Sequence, residues 1–164
     1  MKTLLLLRHA KSSWDQPQRQ DHDRVLNSRG RRAAKRMGSF MRDQGLLPDL
    51  VLCSSAARAQ ETLKLWRKAA DFVGEVQTHR ELYLAEPAGY LEQLASLGER
   101  GSRVMCIGHN PGLEELVTLL SGAEVSLPTA ALVELELELP SWAALSPPAA
   151  ARLVNVWRVK ELPE

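Results

Sequence analysis

Cysteine is scarce in this chain, two in 164 residues, and aromatic side chains make up only 5% of it. Two thiols do not make a disulfide framework. Both lie in apolar runs, Val51-Leu52-Cys53 and Met105-Cys106-Ile107, which is where reduced, buried thiols of a cytosolic protein are found. No apolar run approaches the roughly 20 residues that a membrane-spanning helix needs. The apolar stretch at the start is cut short by Arg8, His9 and Lys11, so it does not read as a secretory signal. An excess of one charge is missing too: the formal net charge is +1, which gives no overall field for nucleic acid. These absences predict a cytoplasmic protein that engages neither membrane nor nucleic acid. What is present is the composition of an ordinary globular protein, 45% hydrophobic and 25% charged. A chain of this length fits a single domain over residues 1–164, burying about two-thirds of its unfolded surface without a metal or a disulfide. Its oligomeric state is left open.

The basic residues are uneven. Arg24, Arg29, Arg31, Arg32, Lys35, Arg36 and Arg42 crowd one segment, which reads as a solvated helix face or as a docking surface for an acidic partner. Two further clusters have a simple chemical reading that fails. Asp21-His22-Asp23 looks like a metal site, but three adjacent side chains do not converge on one ion. Cys53 and Arg58 look like a cysteine phosphatase loop, but only four residues separate them, one short of that loop's spacing.

Strands and helices alternate. Leu4-Leu5-Leu6-Leu7 reads as a buried strand, and Ser28 as the N-cap of a helix with Ala33, Met37, Phe40 and Met41 on its apolar face. Pro48 and Asp49 lead into a second short strand, Leu50-Val51-Leu52-Cys53. Ser54-Ser55 then offers the cap of a helix that places Leu63, Trp66, Ala70 and Val73 at helical spacing. Val76 and Thr78 suggest a strand, Leu91, Leu94 and Leu97 a helix, and Val104 to Gly108 a third buried strand before a helix over 113–120. Residues 132–139 alternate with period two, as a strand with one wet face does, and a Pro/Ala-rich loop over 140–151 leads to a last strand that pairs with it as a hairpin. This order predicts a largely parallel sheet covered by helices on both faces.

Three strand ends then stand out, because ligands in such folds collect beyond the carboxyl ends of the strands. Arg8 and His9 follow the first strand, Ser54 to Arg58 the second and His109 the third. Arg58 falls in the first turn of a helix, where a cation is unfavourable unless an anion sits with it. Serine hydroxyls, free N–H groups and an arginine at a helix start make a seat for phosphate.

With Leu7-Arg8-His9-Ala10-Lys11-Ser12, the run Pro48 to Thr62 and Gly108-His109-Asn110-Pro111-Gly112, the chain resembles the histidine phosphatase superfamily. Within it the likeness is to the small SixA-type phosphohistidine phosphatases. The superfamily's Arg-His-Gly motif stands here as Arg8-His9-Ala10, a departure that adds one methyl group beside the phosphate. The resemblance implies a phosphoglycerate mutase-like α/β/α sandwich of three layers with a mostly parallel central sheet. It also implies phosphate removal through a phosphohistidine formed on His9, with Arg8 and Arg58 as a clamp, His109 as a stabiliser and no cofactor or metal. Ser12 is a further candidate for contact with phosphate.

An alkoxide leaving group needs a general acid, which the superfamily usually supplies as a carboxylic acid between its second arginine and second histidine. Glu81 is the first candidate here and Glu86 the second. An imidazole leaving group is far less basic, so a missing acid would narrow the substrate to phosphohistidine. Only residues 59–108 separate Arg58 from His109, which leaves little room for a lid and predicts an open site suited to a phosphate displayed on a protein. The expected partner is therefore a phosphohistidine-bearing protein. A small phosphate ester is the alternative substrate, and a non-catalytic phosphate-binding adaptor the alternative function.

Overall fold

The computed structural model describes residues 1–145 and 151–163. Its ten main elements are β1 (Lys2–Arg8), α1 (Ser28–Asp43), β2 (Leu50–Ser54), α2 (Ala57–Ala69), β3 (Glu75–His79), α3 (Pro87–Ala95), β4 (Arg103–Gly108), α4 (Gly112–Ser121), β5 (Leu132–Leu137) and β6 (Ala151–Trp157). The strands form one sheet in the order β3-β2-β4-β1-β5-β6. The first four of these run parallel, and β5 and β6 pair antiparallel at one side.

The leucines of β1 show why the sheet is sandwiched. None is more than 1% exposed, and successive side chains of a strand point to opposite faces. Leu4 and Leu6 pack with Tyr90 and Leu94 of α3 and Leu113 and Leu116 of α4. Leu5 and Leu7 pack with Met37 and Met41 of α1 and Leu63 and Trp66 of α2. Each buried side chain contributes about 1.5–3 kcal/mol, so both helical layers are held by the same strand. The three-layer α/β/α architecture and the mostly parallel sheet expected of the phosphoglycerate mutase-like fold are present.

Several local expectations change. Asn27, not Ser28, caps α1, accepting the Gly30 N–H at 2.8 Å. Asn27 also donates its own N–H to Lys11 O at 3.0 Å. A side chain at Gly30 would meet that same carbonyl at 2.1 Å, so the helix start docks directly on the loop after β1. Neither Ser54 nor Ser55 caps α2; its N-cap is Ala56, with no side-chain cap bond. Val73 does not extend the apolar face of α2, because the helix stops at Ala69, Asp71 turns back at φ 53° and Val73 is 93% exposed.

The alternation expected over 132–139 is found in β5, which ends two residues earlier at Leu137, with Glu134 and Glu136 half-exposed and β6 outside it. The loop before β6 contributes a core residue that its composition hides. Trp142 is fully buried and donates its indole N–H to Gly101 O at 2.9 Å. Residues 146–150 of that loop lie outside the described residues.

The chain passes from α1 and α2 on one face to α3 and α4 on the other, and β4 inserts between β2 and β1. Reversal of strand order opens a crevice at the carboxyl ends of the strands. Here it brings the ends of β1, β2 and β4 side by side.

Candidate active site

His9 leaves the end of β1 with its main chain fixed on both sides. Its N–H donates to Gly108 O at 3.0 Å, and its carbonyl accepts from Ala130 at 3.1 Å. The next amide, Ala10 N–H, donates at 2.9 Å to the Thr62 hydroxyl, which itself donates to Arg58 O at 2.7 Å. One buried threonine therefore ties the His9 loop to the first turn of α2, where Arg58 lies 4% exposed. On the third strand end, His109 N–H donates to the Tyr90 hydroxyl at 3.1 Å, and the ring sits 5.2 Å, centroid to centroid, from that of His9. Four of the sequence candidates, Arg8, His9, Arg58 and His109, thus meet at adjacent strand ends.

The electrostatics of this cluster follow from burial among cations. Burial first, and then the charges of Arg58, Arg8 and Arg24, outweigh a hydrogen bond to Ala10 and pull the His9 pKa down to about 4. His9 Nδ1 lies 2.7 Å from Ala10 O. A carbonyl only accepts, so Nδ1 holds the proton of the neutral ring and Nε2 carries a lone pair. Burial, the His9 ring and Arg58 pull His109 down to about 3. Its Nε2 pairs with the Ser54 hydroxyl at 2.7 Å, while Ser54 accepts the Ala56 N–H at 3.2 Å. Arg8 donates through Nη1 to Leu127 O at 2.8 Å. Buried polar atoms normally have partners, yet Arg8 Nε and His109 Nδ1 have none among the described residues. Two cations, two imidazoles held neutral by burial and an unpartnered Arg8 Nε make an arrangement that can hold a compact anion.

A family description, the histidine phosphatase superfamily (branch 1), matches residues 4–86. The chain belongs to that superfamily. It is 36% identical to an uncharacterized chloroplastic protein of Arabidopsis thaliana over 164 aligned residues, covering 93% of this chain and 75% of the relative. It is 33% identical to an uncharacterized protein of Mycobacterium tuberculosis, covering 78% and 77%. Among solved structures, one from Agrobacterium tumefaciens that bears the provisional name phosphohistidine phosphatase SixA matches with a TM-score of 0.81 at 29% identity, over 96% of this chain and 97% of that one. The protein histidine phosphatase SixA in complex with tungstate shares the fold, with a TM-score of 0.84 at 20% identity over 98% and 99%. Within that superfamily the chain is of the SixA type.

The remaining candidates fall differently. Glu81 does not join the histidine phosphatase cluster: its carboxylate lies 3.8 Å from His79 Nδ1, and its side chain is 62% exposed. It sits on the tight turn Arg80–Leu82, which buries Leu82 and leaves Glu81 outside. Glu86 is exposed at the N-cap of α3. Ser12 is buried, and its hydroxyl is engaged by Arg24.

A carboxylate that does reach the site is Asp21, from the triplet whose members diverge; Glu114, which accepts from Leu127 N–H at 2.8 Å, is another whose charge Arg8 feels. The main-chain oxygen and Oδ2 of Asp21 accept from Arg58 Nη1 and Nη2 at 2.8 and 3.1 Å, and its Oδ1 accepts from Arg24 at 3.0 Å. Tyr83 donates to it as well. His22 bonds Ser55 instead, at 2.9 Å. Burial alone would raise the Asp21 pKa, but the bonds from Tyr83 and Arg58 and the charges of Arg58 and Arg24 outweigh it and hold the carboxyl below its ordinary value. The Asp21–Tyr83 bond also joins two loops beside Arg58, and His9 is only 7% exposed. Access is therefore narrower than the short spacing from Arg58 to His109 suggests.

The sequence reading placed Ser54 at the site, where it meets His109, but gave no site role to Asp21, Arg24, Tyr83 or Tyr90. A composition signal existed for Asp21 and Arg24, in the polar density of Asp21-His22-Asp23-Arg24. Tyr90 had an indirect one in Gly108, where a side chain would lie 2.1 Å from the Tyr90 hydroxyl.

Proposed function

We propose that this phosphatase removes the phosphoryl group from phosphohistidine on a protein, with His9 as the nucleophile. Two observations carry the reading together: His9 Nδ1 faces Ala10 O, which leaves Nε2 with its lone pair, and the Asp21 carboxylate is taken up by Arg58, Arg24 and Tyr83, which keep it ionised. With the substrate ring carrying a proton on its other nitrogen, Nε2 attacks phosphorus as the P–N bond breaks, giving phospho-His9 and a neutral imidazole that keeps the bonding pair. Water then attacks phospho-His9, releasing inorganic phosphate and restoring the ring. Dividing the transfer in this way replaces one hard step with two easier ones.

Charge on the equatorial oxygens is met by Arg8 and Arg58, held before the reaction begins and so without reorganisation during it. We assign the Ser54 hydroxyl as donor to His109 Nε2, which places the His109 proton on Nδ1, where it donates to a phosphoryl oxygen. An alkoxide would need a protonated acid as it departs. Asp21 is the carboxylate against Arg58, and its pairing keeps it from holding a proton. Imidazole, with a pKa of about 6.5 for its conjugate acid, leaves with far less help. The SixA neighbours agree in name with this substrate class.

The test is hydrolysis of a phosphohistidine-bearing protein beside a simple alkyl phosphomonoester, with the intact enzyme and His9→Ala. Strong preference for phosphohistidine, abolished in a folded His9→Ala protein, is the expected outcome. Equal or better ester cleavage would replace this reading with a small-metabolite phosphatase, and undiminished turnover without His9 would overturn the mechanism.

A further inference from the structure

A groove of about 560 Å³ lies between α1 and the turn Val159–Glu161, lined by Lys11, Arg29, Arg32, Arg36, Arg158 and Lys160 against one carboxylate, Glu161. In a chain of net charge +1, six cations to one anion is a local concentration. Two of the six are used internally. Arg36 donates to Leu162 O at 2.8 Å, while Arg158 donates to Ser126 O at 3.0 Å and pairs with Glu161 at 3.5 Å. Lys11, Arg29, Arg32 and Lys160 are exposed and have no hydrogen-bond or ion-pair partner among the described residues.

The helix makes no provision for these charges. α1 carries no acidic residue before Asp43, and Arg29, Arg32 and Arg36 share one face at spacings of three and four, where like charges repel. They span about 10 Å along the axis, at ~1.5 Å per residue.

The groove also shares its wall with the phosphate site. Lys11 follows His9 by two residues, and Pro128 and Thr129 line the groove. They lie between Leu127, which accepts from Arg8 at 2.8 Å, and Ala130, which donates to the carbonyls of Arg8 and His9 at 3.1 Å. Whatever binds there is held within a few residues of the nucleophile.

We propose that this groove docks an acidic segment flanking the phosphohistidine of the substrate protein, a proposal that rests on the phosphohistidine reading above. Complementary charge at the edge of an interface chiefly raises the rate of productive encounter. A nucleic acid is the other polyanion to weigh. The lining holds no aromatic side chain on which bases could stack.

The experiment compares three substrates: free phosphohistidine, and one phosphohistidine peptide flanked by glutamates or by lysines. The intact enzyme should favour the glutamate peptide over the other two by about tenfold in kcat/KM at low salt, and the advantage should shrink as salt screens it. R29E/R32E, altering two exposed residues, should lose that preference while cleaving free phosphohistidine at the normal rate. Equal rates on the three substrates, or a preference that survives R29E/R32E, would overturn the proposal. Should the intact enzyme cleave none of them, the phosphohistidine reading falls by itself. The groove is then judged by fluorescence anisotropy with the unphosphorylated glutamate peptide and a single-stranded oligonucleotide. Binding of the peptide, lost in R29E/R32E, supports an acidic-segment dock; no peptide binding, or binding of the oligonucleotide instead, overturns it.

Discussion

Acidifying this protein from pH 7 to pH 5 should destabilise it through the two histidines of its own site. Burial comes first for both, and the charge of Arg58 adds to it, so that His9 is held down at about 4 and His109 at about 3. An unfolded histidine titrates at about 6.5. Between those values the unfolded chain binds protons that the folded one refuses, so stability rises with pH across the window and is lost as pH falls through it. At pH 5 the unfolded ring is almost fully charged and both folded rings are almost fully neutral. A gap of about 1.5 pH units is then worth about 2 kcal/mol for each ring. Urea unfolding at the two pH values, on the intact protein, His9→Ala and His109→Ala, measures this. The pair should account for about 4 kcal/mol of the loss, and each variant should lose about 2 kcal/mol less than the intact protein. Comparing the two pH values within one variant cancels the packing cost of the truncation. If the three proteins lose stability equally, the rings are not held neutral and His9 has no electrostatic basis for its role.

Two further substitutions probe the supports of the site. Gly108→Ala would place a methyl group 2.1 Å from the hydroxyl of the fully buried Tyr90. It should cost about 1–3 kcal/mol in urea unfolding, as overpacking does, and lower kcat by displacing His109; an unchanged midpoint would mean that Tyr90 can yield. Asp21→Asn keeps the shape of the Arg58 partner and removes its charge. Inorganic phosphate should then inhibit several-fold more strongly, and unchanged inhibition would place Asp21 outside the field that phosphate feels.

Legibility in the sequence followed the range of the interactions. The buried strands β1, β2 and β4 were readable from short apolar runs, and Arg8, His9, Arg58 and His109 from polar groups standing where those runs end. Asp21 was not, because the partners that place it at the site, Arg58 and Tyr83, are 37 and 62 residues away. Nothing local to an Asp-His-Asp triplet says that its first member meets Arg58. Glu81 and Tyr83 were indistinguishable for a related reason: in a tight turn without periodicity, a single rotation decides which side chain reaches the site. Val73 shows the opposite error. Its spacing from Leu63, Trp66 and Ala70 fits a helix, but periodicity does not register where a helix stops. Trp142 was invisible in a Pro/Ala-rich segment because a single buried aromatic has no period at all.

The position of Asp21 also bears on what this phosphatase can hydrolyse. A carboxyl group beside the departing atom serves an ester only if it carries a proton, and two arginines and a tyrosine give Asp21 every reason to remain ionised. An ionised Asp21 still has work of another kind. Arg58 stands in the first turn of α2, where the helix dipole disfavours a cation, and Asp21 offsets that cost while directing two guanidinium nitrogens. The same carboxylate therefore assembles the clamp and forgoes the proton that an alkoxide would need. A site built this way favours weakly basic leaving groups, and the imidazole of the phosphohistidine proposed above is one that a protein displays.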